Sequence, residues 1–328
     1  MMNFEIILPF LRPIEHLILD ETISEVMVNG NGRIFVERSG VIEEIVGITI
    51  KEEVLQIAVK NIARRLGDEI GEGRPILDSR LPDGSRVAAV FPPCSIGGTT
   101  LSIRKFASKL FSADELVRVG SMTAEVLSLL RTAIAGRKNI LISGGTSTGK
   151  TTLLNALAAL IDPADRLAVI EDTAELHLTQ PNVVRLEARR EVPGTPAVSM
   201  RNLLKATLRL RPDRILLGEV RGAEAFDLWQ ALNTGHSGTL ATIHANSATQ
   251  SLSRLATCVL QSDVQLPFHA IQSGIADSIN LLLHIERRAG KRIVGELLEV
   301  GAYDRQTDRF DLRCCYRAEG MRGSGEGL

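Results

Sequence analysis

The chain has 328 residues, 44% of them hydrophobic, which is enough to bury a substantial core and to form two domains. Its 38 basic and 39 acidic residues leave a formal net charge of -1, so composition gives no electrostatic argument for a nucleic-acid ligand. Aromatic residues make up 4% and include a single Trp, which argues against base-stacking surfaces, so direct binding of nucleic acid is not expected.

The cysteines give no sign of a metal site. None has C-x-x-C spacing, so zinc binding is not expected, and reduced thiols in a reducing cytosol are the simplest interpretation. The four are Cys94, Cys258, Cys314 and Cys315. A redox role for the adjacent pair Cys314-Cys315 finds no support in the neighbouring residues.

The N-terminal stretch "MMNFEIILPFLRPIEHLIL" makes a poor signal peptide, because charged residues interrupt its apolar run and a small-residue cleavage site is lacking. No segment has the roughly 20 apolar residues needed to cross a bilayer. We therefore expect a cytoplasmic protein whose contact with the inner membrane is peripheral and made through a partner.

The first third of the chain, residues 1–106, has the pattern of a small α+β domain. Apolar and polar residues alternate on both sides of Asn29-Gly30-Asn31-Gly32, which predicts a β-hairpin. Apolar residues at helical spacing predict a helix over 51–66 that stops at Gly67. "LPDGSRVAAVFPP" and "TTLSIRKF" predict two further strands.

Residues 107–121 are polar and lack strong periodicity, so we expect a linker or hinge there. Ser121 or Thr123 is a candidate cap for a helix that runs to Ile134. Over 122–312, the short apolar runs "NILISG", "LAVIE", "VVRLE", "RILLGE" and "TLATIH" alternate with helical patterns. This alternation predicts a doubly wound α/β domain with a mostly parallel sheet, followed by a flexible tail over 313–328.

A glycine-rich segment follows the first of these runs and leads into a helical pattern. It matches G-x-x-x-x-G-K-[ST] from Gly144 to Thr151. The loop amides and the positive end of the next helix can surround phosphates, the lysine reaches the β- and γ-phosphates, and the threonine hydroxyl binds Mg²⁺. The sequence therefore predicts ATP and Mg²⁺ as ligands, the alternative being a turn that binds nothing. The predicted nucleotide-binding residues are Gly144, Gly145, Thr146, Ser147, Thr148, Gly149, Lys150, Thr151 and Thr152.

Hydrolysis needs more than binding: a carboxylate to orient water, another near the metal, and positive charge for the γ-phosphoryl oxygens. Glu171 and Asp172 end one apolar run and Glu219 ends another, where parallel sheets build their sites. Each carboxylate could instead cap a helix or be solvated. His236 and His244 flank the last predicted strand, and either a structural role or sensing of the γ-phosphate fits them.

With these elements in order, the chain resembles the type II/type IV secretion ATPase superfamily, most closely its CpaF/TadA pilus-assembly branch and next the TrbB-like conjugation ATPases. The resemblance covers about residues 14–310. The strings that carry it include "ISEVMVNGNGRIFVERSG", "DSRLPDGSRVAAVFPP", "SIRKF", "ISGGTSTGKTTLLNAL", "VIEDTAEL" and "RLRPDRILLGEVRGAEAFDLWQALNTGHSGTLATIHANS". It implies a C-terminal RecA-like P-loop NTPase domain behind a smaller, PAS-like α+β domain.

The resemblance also implies a role for each matched residue. Glu171 corresponds to the glutamate regarded as the water-orienting base, and Glu219 to the glutamate of the atypical Walker B strand, near Mg²⁺. The Walker A residues are Lys150 and Thr151, and the His-box residues are His236 and His244.

Two arginines of the first domain are given a role by the resemblance alone. Arg86 and Arg104 match residues that the family directs toward the γ-phosphate, where a guanidinium can neutralise transition-state charge. Without the family, both would be interpreted as solvated strand arginines.

The chain departs from the family pattern in two places. Ser147 stands where the family often has Gly, so a positive φ there would strain the residue, although we expect function to survive. CpaF-type chains commonly carry a long extension before the "EVMVNG" region, and contacts made through such an extension are in doubt here.

The family implies a homo-hexameric ATPase motor that powers pilus assembly or protein secretion through an inner-membrane platform protein. ATP would shift the angle between the two domains, with 107–121 as the hinge. Two alternatives stay open: a TrbB-like ATPase for conjugative DNA transfer, and a regulatory ring that binds ATP without hydrolysing it.

Overall fold

In the computed structural model, the described residues are 4–38, 40–106, 110–189, 191 and 195–319. The chain divides into two compact units, Met1–Lys109 and Leu110–Leu328. Residues 107–109 of the predicted linker and 320–328 of the predicted tail lie outside the described residues. Within the described residues, no helix is long and apolar enough to span a membrane.

The first unit is built on an antiparallel six-stranded sheet of order β3-β2-β1-β6-β5-β4. Three short 3-10 turns, Phe4–Ile6, Leu8–Phe10 and Arg12–Ile14, precede it. The elements are α1 (Glu15–Leu19), β1 (Ile23–Val28), β2 (Ile34–Arg38), β3 (Val41–Ile45), α2 (Glu52–Arg65), β4 (Ile76–Arg80), β5 (Arg86–Val90) and β6 (Thr100–Arg104).

The hairpin and the helix expected in this unit are present, for the reasons their patterns suggested. At the β1–β2 turn, Gly32 adopts φ 77°, and a Cβ there would lie 2.6 Å from the carbonyl oxygen of Ile50, so only glycine fits. Along α2, the buried residues repeat at helical spacing and pack into one core with the strands. They are Leu55, Ala58, Val59, Ile62 and Ala63.

The second unit is a doubly wound α/β domain around an eight-stranded sheet of order β14-β13-β12-β7-β11-β10-β8-β9. Its elements are α3 (Ala113–Arg118), α4 (Ala124–Ala135), β7 (Ile140–Gly144), α5 (Lys150–Ala158), β8 (Leu167–Glu171), β9 (Val183–Glu187), α6 (Met200–Thr207), β10 (Arg214–Val220), α7 (Glu224–Asn233), β11 (Leu240–His244), α8 (Ala248–Leu260), α9 (Phe268–Ser278), β12 (Leu281–Arg288), β13 (Lys291–Asp304) and β14 (Arg309–Arg317).

The sheet is parallel from β12 to β9, and the hairpin partners β13 and β14 extend it antiparallel. Alternate residues of β7 enter different cores: Ile140 and Ile142 pack with α4 and α5, whereas Leu141 packs with α7, α8 and α9. Helices therefore cover both faces, which confirms the predicted α/β fold class and all five predicted strands.

Two boundaries predicted in this unit were wrong. Residues 313–317 belong to β14 and pair with β13, because alternating side chains rather than an apolar run specify that strand. Residues 113–118 of the predicted linker form α3, where Ser112 and Glu115 make a capping box and Leu116 is buried against the α4–α5 core. Of the two candidate caps of α4, Thr123 is the one used, accepting from the Val126 amide at 3.2 Å.

The packing of α9 on α7 gives a stability prediction. A Cβ at Gly274 would lie 2.6 Å from Trp229 Nε1, a distance that packed side chains do not tolerate. Gly→Ala in a helix interior ordinarily stabilises by about 1 kcal/mol, but here we expect Gly274→Ala to lower the free energy of unfolding by about 2 kcal/mol through overpacking. Urea denaturation measures it. In a Trp229→Leu background the same change should be neutral or stabilising, and stabilisation in the wild-type background would contradict the packing.

Candidate functional site

The glycine-rich segment forms a loop between β7 and α5, in the strand–loop–helix arrangement that phosphate loops have. Gly149, just before α5, adopts φ 97° and ψ 22°, and Ser147 adopts φ 57°. A Cβ at Gly144 would collide with the carbonyl oxygen of Ile285 on β12, so glycine is required where β7 ends. The loop at 145–149 therefore has the curvature that directs amide groups toward an anion.

Lys150 lies at the mouth of this loop. Its Nζ donates to the carbonyl oxygens of Gly144 at 3.1 Å and Gly145 at 2.8 Å, and it is 3.3 Å from His244 Nε2. Burial lowers the pKa of Lys150, and the charges of Glu219 and Glu175 oppose that shift. A buried ammonium group surrounded by loop backbone is suited to the β- and γ-phosphates of a nucleotide.

Glu219, on β10, faces the same point. Its Oε1 is 2.7 Å from His244 Nε2, and its Oε2 accepts from Arg221 Nε at 2.6 Å. Arg221 Nη1 also donates to Asp172 Oδ2 at 3.1 Å, so one guanidinium joins the acids that follow two neighbouring strands. Burial lowers the pKa of His244, with Glu219 opposing, so the imidazole is neutral at pH 7.

The residues present fit a magnesium ion that arrives with nucleotide phosphates. Glu219 Oε1 is buried, and apart from its 2.7 Å contact with His244 Nε2 it has no partner within the described part of the chain, so it can exchange the imidazole for a cation or a cation-bound water. Thr151 stands in the first turn of α5. The described residues contain no group of three acidic, His or Cys side chains that could hold a metal alone, and Mg²⁺ normally uses one or two protein ligands plus phosphate oxygens.

The structure gives Glu171 a different setting from the one that a water-orienting base needs. Its side chain is buried, and Oε1 accepts from the amides of Glu175 at 2.8 Å and Leu176 at 2.9 Å. Burial raises the pKa of Glu171, with the two amides opposing. Glu171 thus holds the turn that follows β8, whereas Glu175 on that turn is exposed and its charge acts on Lys150. The sequence analysis missed Glu175, although it stands four residues beyond Glu171.

The structure does not bring His236 to the loop. His236 precedes β11 and its Nδ1 is 3.2 Å from the carbonyl oxygen of Ala231, whereas His244 ends the same strand. A five-residue strand spans about 13 Å, so the two histidines lie at opposite edges of the sheet. His236 is therefore not part of the site that contains Lys150, and only His244 of the predicted pair is.

Arg86 and Arg104 lie in the first unit as a directly opposed pair on β5 and β6. Directly opposed like charges are unfavourable on a sheet, and each arginine has an acidic neighbour. Arg86 Nη2 is 3.4 Å from Asp78 Oδ1, and Arg104 Nη2 is 3.0 Å from Glu25 Oε2. The two guanidinium groups lie on one face of the sheet, each beside a carboxylate, and their predicted contact with the γ-phosphate stays a prediction.

A second feature that the sequence analysis missed is an apolar cavity beside the loop, within the second unit. Phe111, Leu116, Val119 and Met122 line it together with Gly149 on the loop, Thr152 on α5 and Arg292 on β13. Phe111, Leu116 and Val119 come from the segment predicted as a linker, residues 107–121, whereas Met122 is the first residue of the predicted α/β domain. Its volume of about 80 Å³ is well below the roughly 300–1,000 Å³ of ordinary ligand pockets, so the cavity alone does not mark a site for a nucleotide base.

Comparisons with known proteins show the family and the fold of the chain. The family model described as "Type II/IV secretion system protein" matches residues 10–323. The chain is 39% identical over 288 residues to the conjugal transfer protein TrbB of Rhizobium radiobacter, covering 87% of this chain and 85% of that protein. It is 37% identical over 297 residues to the type IV secretion system protein PtlH of Bordetella pertussis, covering 83% of this chain and 87% of that one.

A solved structure similar in fold is that of the ATPase DotB of Legionella pneumophila. The TM-score is 0.63 at 19% identity, over 92% of this chain and 82% of that chain. At this level of identity the likeness concerns the fold alone.

Proposed function

The chain belongs to the type II/IV secretion system protein family, and we propose that it binds ATP with Mg²⁺ at the loop of its second unit and hydrolyses it. The predicted superfamily is confirmed, while its CpaF/TadA branch stays a prediction. The observation that carries the proposal is the convergence of three side chains. His244 Nε2 lies 3.3 Å from Lys150 Nζ and 2.7 Å from Glu219 Oε1.

Each of these groups has a task that its setting supports. The loop amides and Lys150 bind the phosphates, and the hydroxyl of Thr151 and Glu219 Oε1 would hold Mg²⁺. When bound, Mg²⁺ neutralises charge on the phosphate oxygens. Arg221 orients Glu219 by donating a hydrogen bond to Oε2, and neutral His244 can donate or accept one proton next to Lys150.

The water that attacks the γ-phosphate needs an accessible carboxylate, and Glu175 meets this requirement better than Glu171. We expect Glu175→Gln to lower the rate of phosphate release by about a hundredfold while ATP binding stays within about twofold. Glu171→Gln should instead act through stability, because it disturbs the acceptor of two amides and lowers the melting temperature. Phosphate release and thermal unfolding of both variants separate these effects.

The opposite pattern, a folded but inactive Glu171→Gln protein beside an active Glu175→Gln protein, would return the base to Glu171. Loss of ATP binding in both variants would mean that neither carboxylate acts only in the chemical step. Glu187→Gln, at the end of the neighbouring strand β9, is the matched control and should leave the phosphate release rate unchanged.

The oligomeric state and the cellular role are proposed from the relatives rather than from the geometry of the site. We propose a homo-hexameric motor that works at an inner-membrane platform in conjugative transfer or type IV secretion, since the names of TrbB and PtlH refer to those systems. Pilus assembly is the second candidate, carried by the resemblance of the motif strings. Native mass spectrometry with ATP tests the assembly, and a particle of six chains is the expected result.

A further inference from the structure

The loop that binds the triphosphate contains one strained residue. Ser147 adopts φ 57°, in the left-handed region that glycine occupies freely and that a residue with a Cβ disfavours. The Walker A pattern of the resembling family often has Gly at this position. For this chain, the active shape of the loop therefore competes with relaxed shapes in which Ser147 returns to a negative φ.

A side chain from outside the loop holds Ser147. Arg292, on β13, donates its Nε to the carbonyl oxygen of Ser147 at 3.2 Å. Its Cδ also lies 3.2 Å from the position that a Cβ on Gly149 would take, so the aliphatic part of the side chain runs along the loop. Arg292 thus contacts Ser147, the strained residue, and runs beside Gly149, the residue just before α5.

The position of Arg292 is set by the hairpin that β12 and β13 form. The two-residue turn at Ala289-Gly290 has φ 48° and 81°, and Arg292 pairs across the strands with Arg287. On β12, Ile285 lies against Gly144, at the other end of the loop. The hairpin therefore touches the loop at its beginning, at Ser147 and at its end, and can keep one loop shape.

We propose that Arg292 is a positioning residue for the nucleotide, holding Ser147 in its left-handed conformation so that the loop stays in the shape that binds the triphosphate. This inference rests on the proposed ATP site. It differs from a direct contact, in which the Arg292 guanidinium would itself touch the nucleotide, because only the positioning role depends on which residue stands at 147.

The test is a double-mutant cycle on the full chain, with the dissociation constant for ATP measured by calorimetry and kcat by phosphate release. Arg292→Ala should raise the dissociation constant about fivefold and leave kcat within about twofold. The reason is that a smaller fraction of the protein then has the loop in the conformation that binds ATP. Ser147→Gly alone should change either value by less than about twofold. Ser147→Gly in the Arg292→Ala background should restore wild-type affinity, because glycine needs no support at φ 57°.

Lys291→Ala, which removes a positive charge from the exposed residue next to Arg292 on β13, is the control and should leave affinity unchanged. If Arg292→Ala binds ATP like the wild type, or if Ser147→Gly does not rescue it, the proposal is overturned, the second result favouring direct contact. If the wild type binds no ATP, the proposed function fails instead. Equal melting temperatures across the cycle keep a folding defect from imitating the result.

Discussion

Replacing Lys150 with alanine is expected to lower the rate of ATP hydrolysis by at least about a hundredfold. Its Nζ is the ammonium group at the mouth of the loop, within 3.1 Å of two loop carbonyls and 3.3 Å of His244. No neighbouring side chain of the described site can take over its contact with the β- and γ-phosphates. Steady-state phosphate release with saturating ATP and Mg²⁺ measures the effect.

Lys150 also makes two hydrogen bonds to its own loop, so the alanine variant must be shown to be folded. Lys138→Ala is a suitable control, because Lys138 is an exposed lysine of the same unit at the other end of β7. It should hydrolyse ATP at the wild-type rate. A Lys150→Ala protein with unchanged hydrolysis would refute the assignment of the site.

The second large effect is expected from Glu219→Gln. The substitution keeps the size of the side chain but removes the charge that faces His244 Nε2 at 2.7 Å and Arg221 Nε at 2.6 Å. We expect hydrolysis to fall about a hundredfold and the Mg²⁺ concentration for half-maximal activity to rise, because a buried carboxylate oxygen available to the cation is lost. A titration of Mg²⁺ at fixed ATP measures both.

Asp172→Asn separates the two roles of this carboxylate, since Asp172 is the other acid that Arg221 contacts. It removes the negative charge of Asp172 that faces the Arg221 guanidinium but leaves Glu219 in place. Asp172→Asn should retain most of the activity and the Mg²⁺ requirement of the wild type. If Asp172→Asn is as inactive as Glu219→Gln, the two carboxylates act by holding Arg221 in place rather than by binding the metal.

The sheet of the second unit was predictable where its strands are buried on both faces. β7, β8 and β11 are short apolar runs bounded by polar loops, and such runs are typical of parallel strands. β14 was missed because its residues are largely exposed, so it has no apolar run to mark it. α3 was missed although the Ser112 to Glu115 capping box was present in the sequence.

The candidate site was predictable where residues end parallel strands, because those ends meet at one edge of the sheet. Glu219 and His244 lie near the ends of β10 and β11 at that edge, and the loop after β7 brings Lys150, the first residue of α5, to the same place. Spacing alone could not tell which way Glu171 turns, and its burial against two amides depends on how the chain continues after β8. Nor could it place Arg292, since β13 approaches the loop from a distant part of the chain.

The central claim is that the loop between β7 and α5 binds ATP with Mg²⁺ for hydrolysis. The most direct measurement is phosphate release by the wild-type full chain from ATP, first with Mg²⁺ and then with the metal removed by EDTA. We expect steady release that stops with EDTA and resumes when excess Mg²⁺ is added. Release that is absent with Mg²⁺, or that continues at the same rate in EDTA, would contradict it.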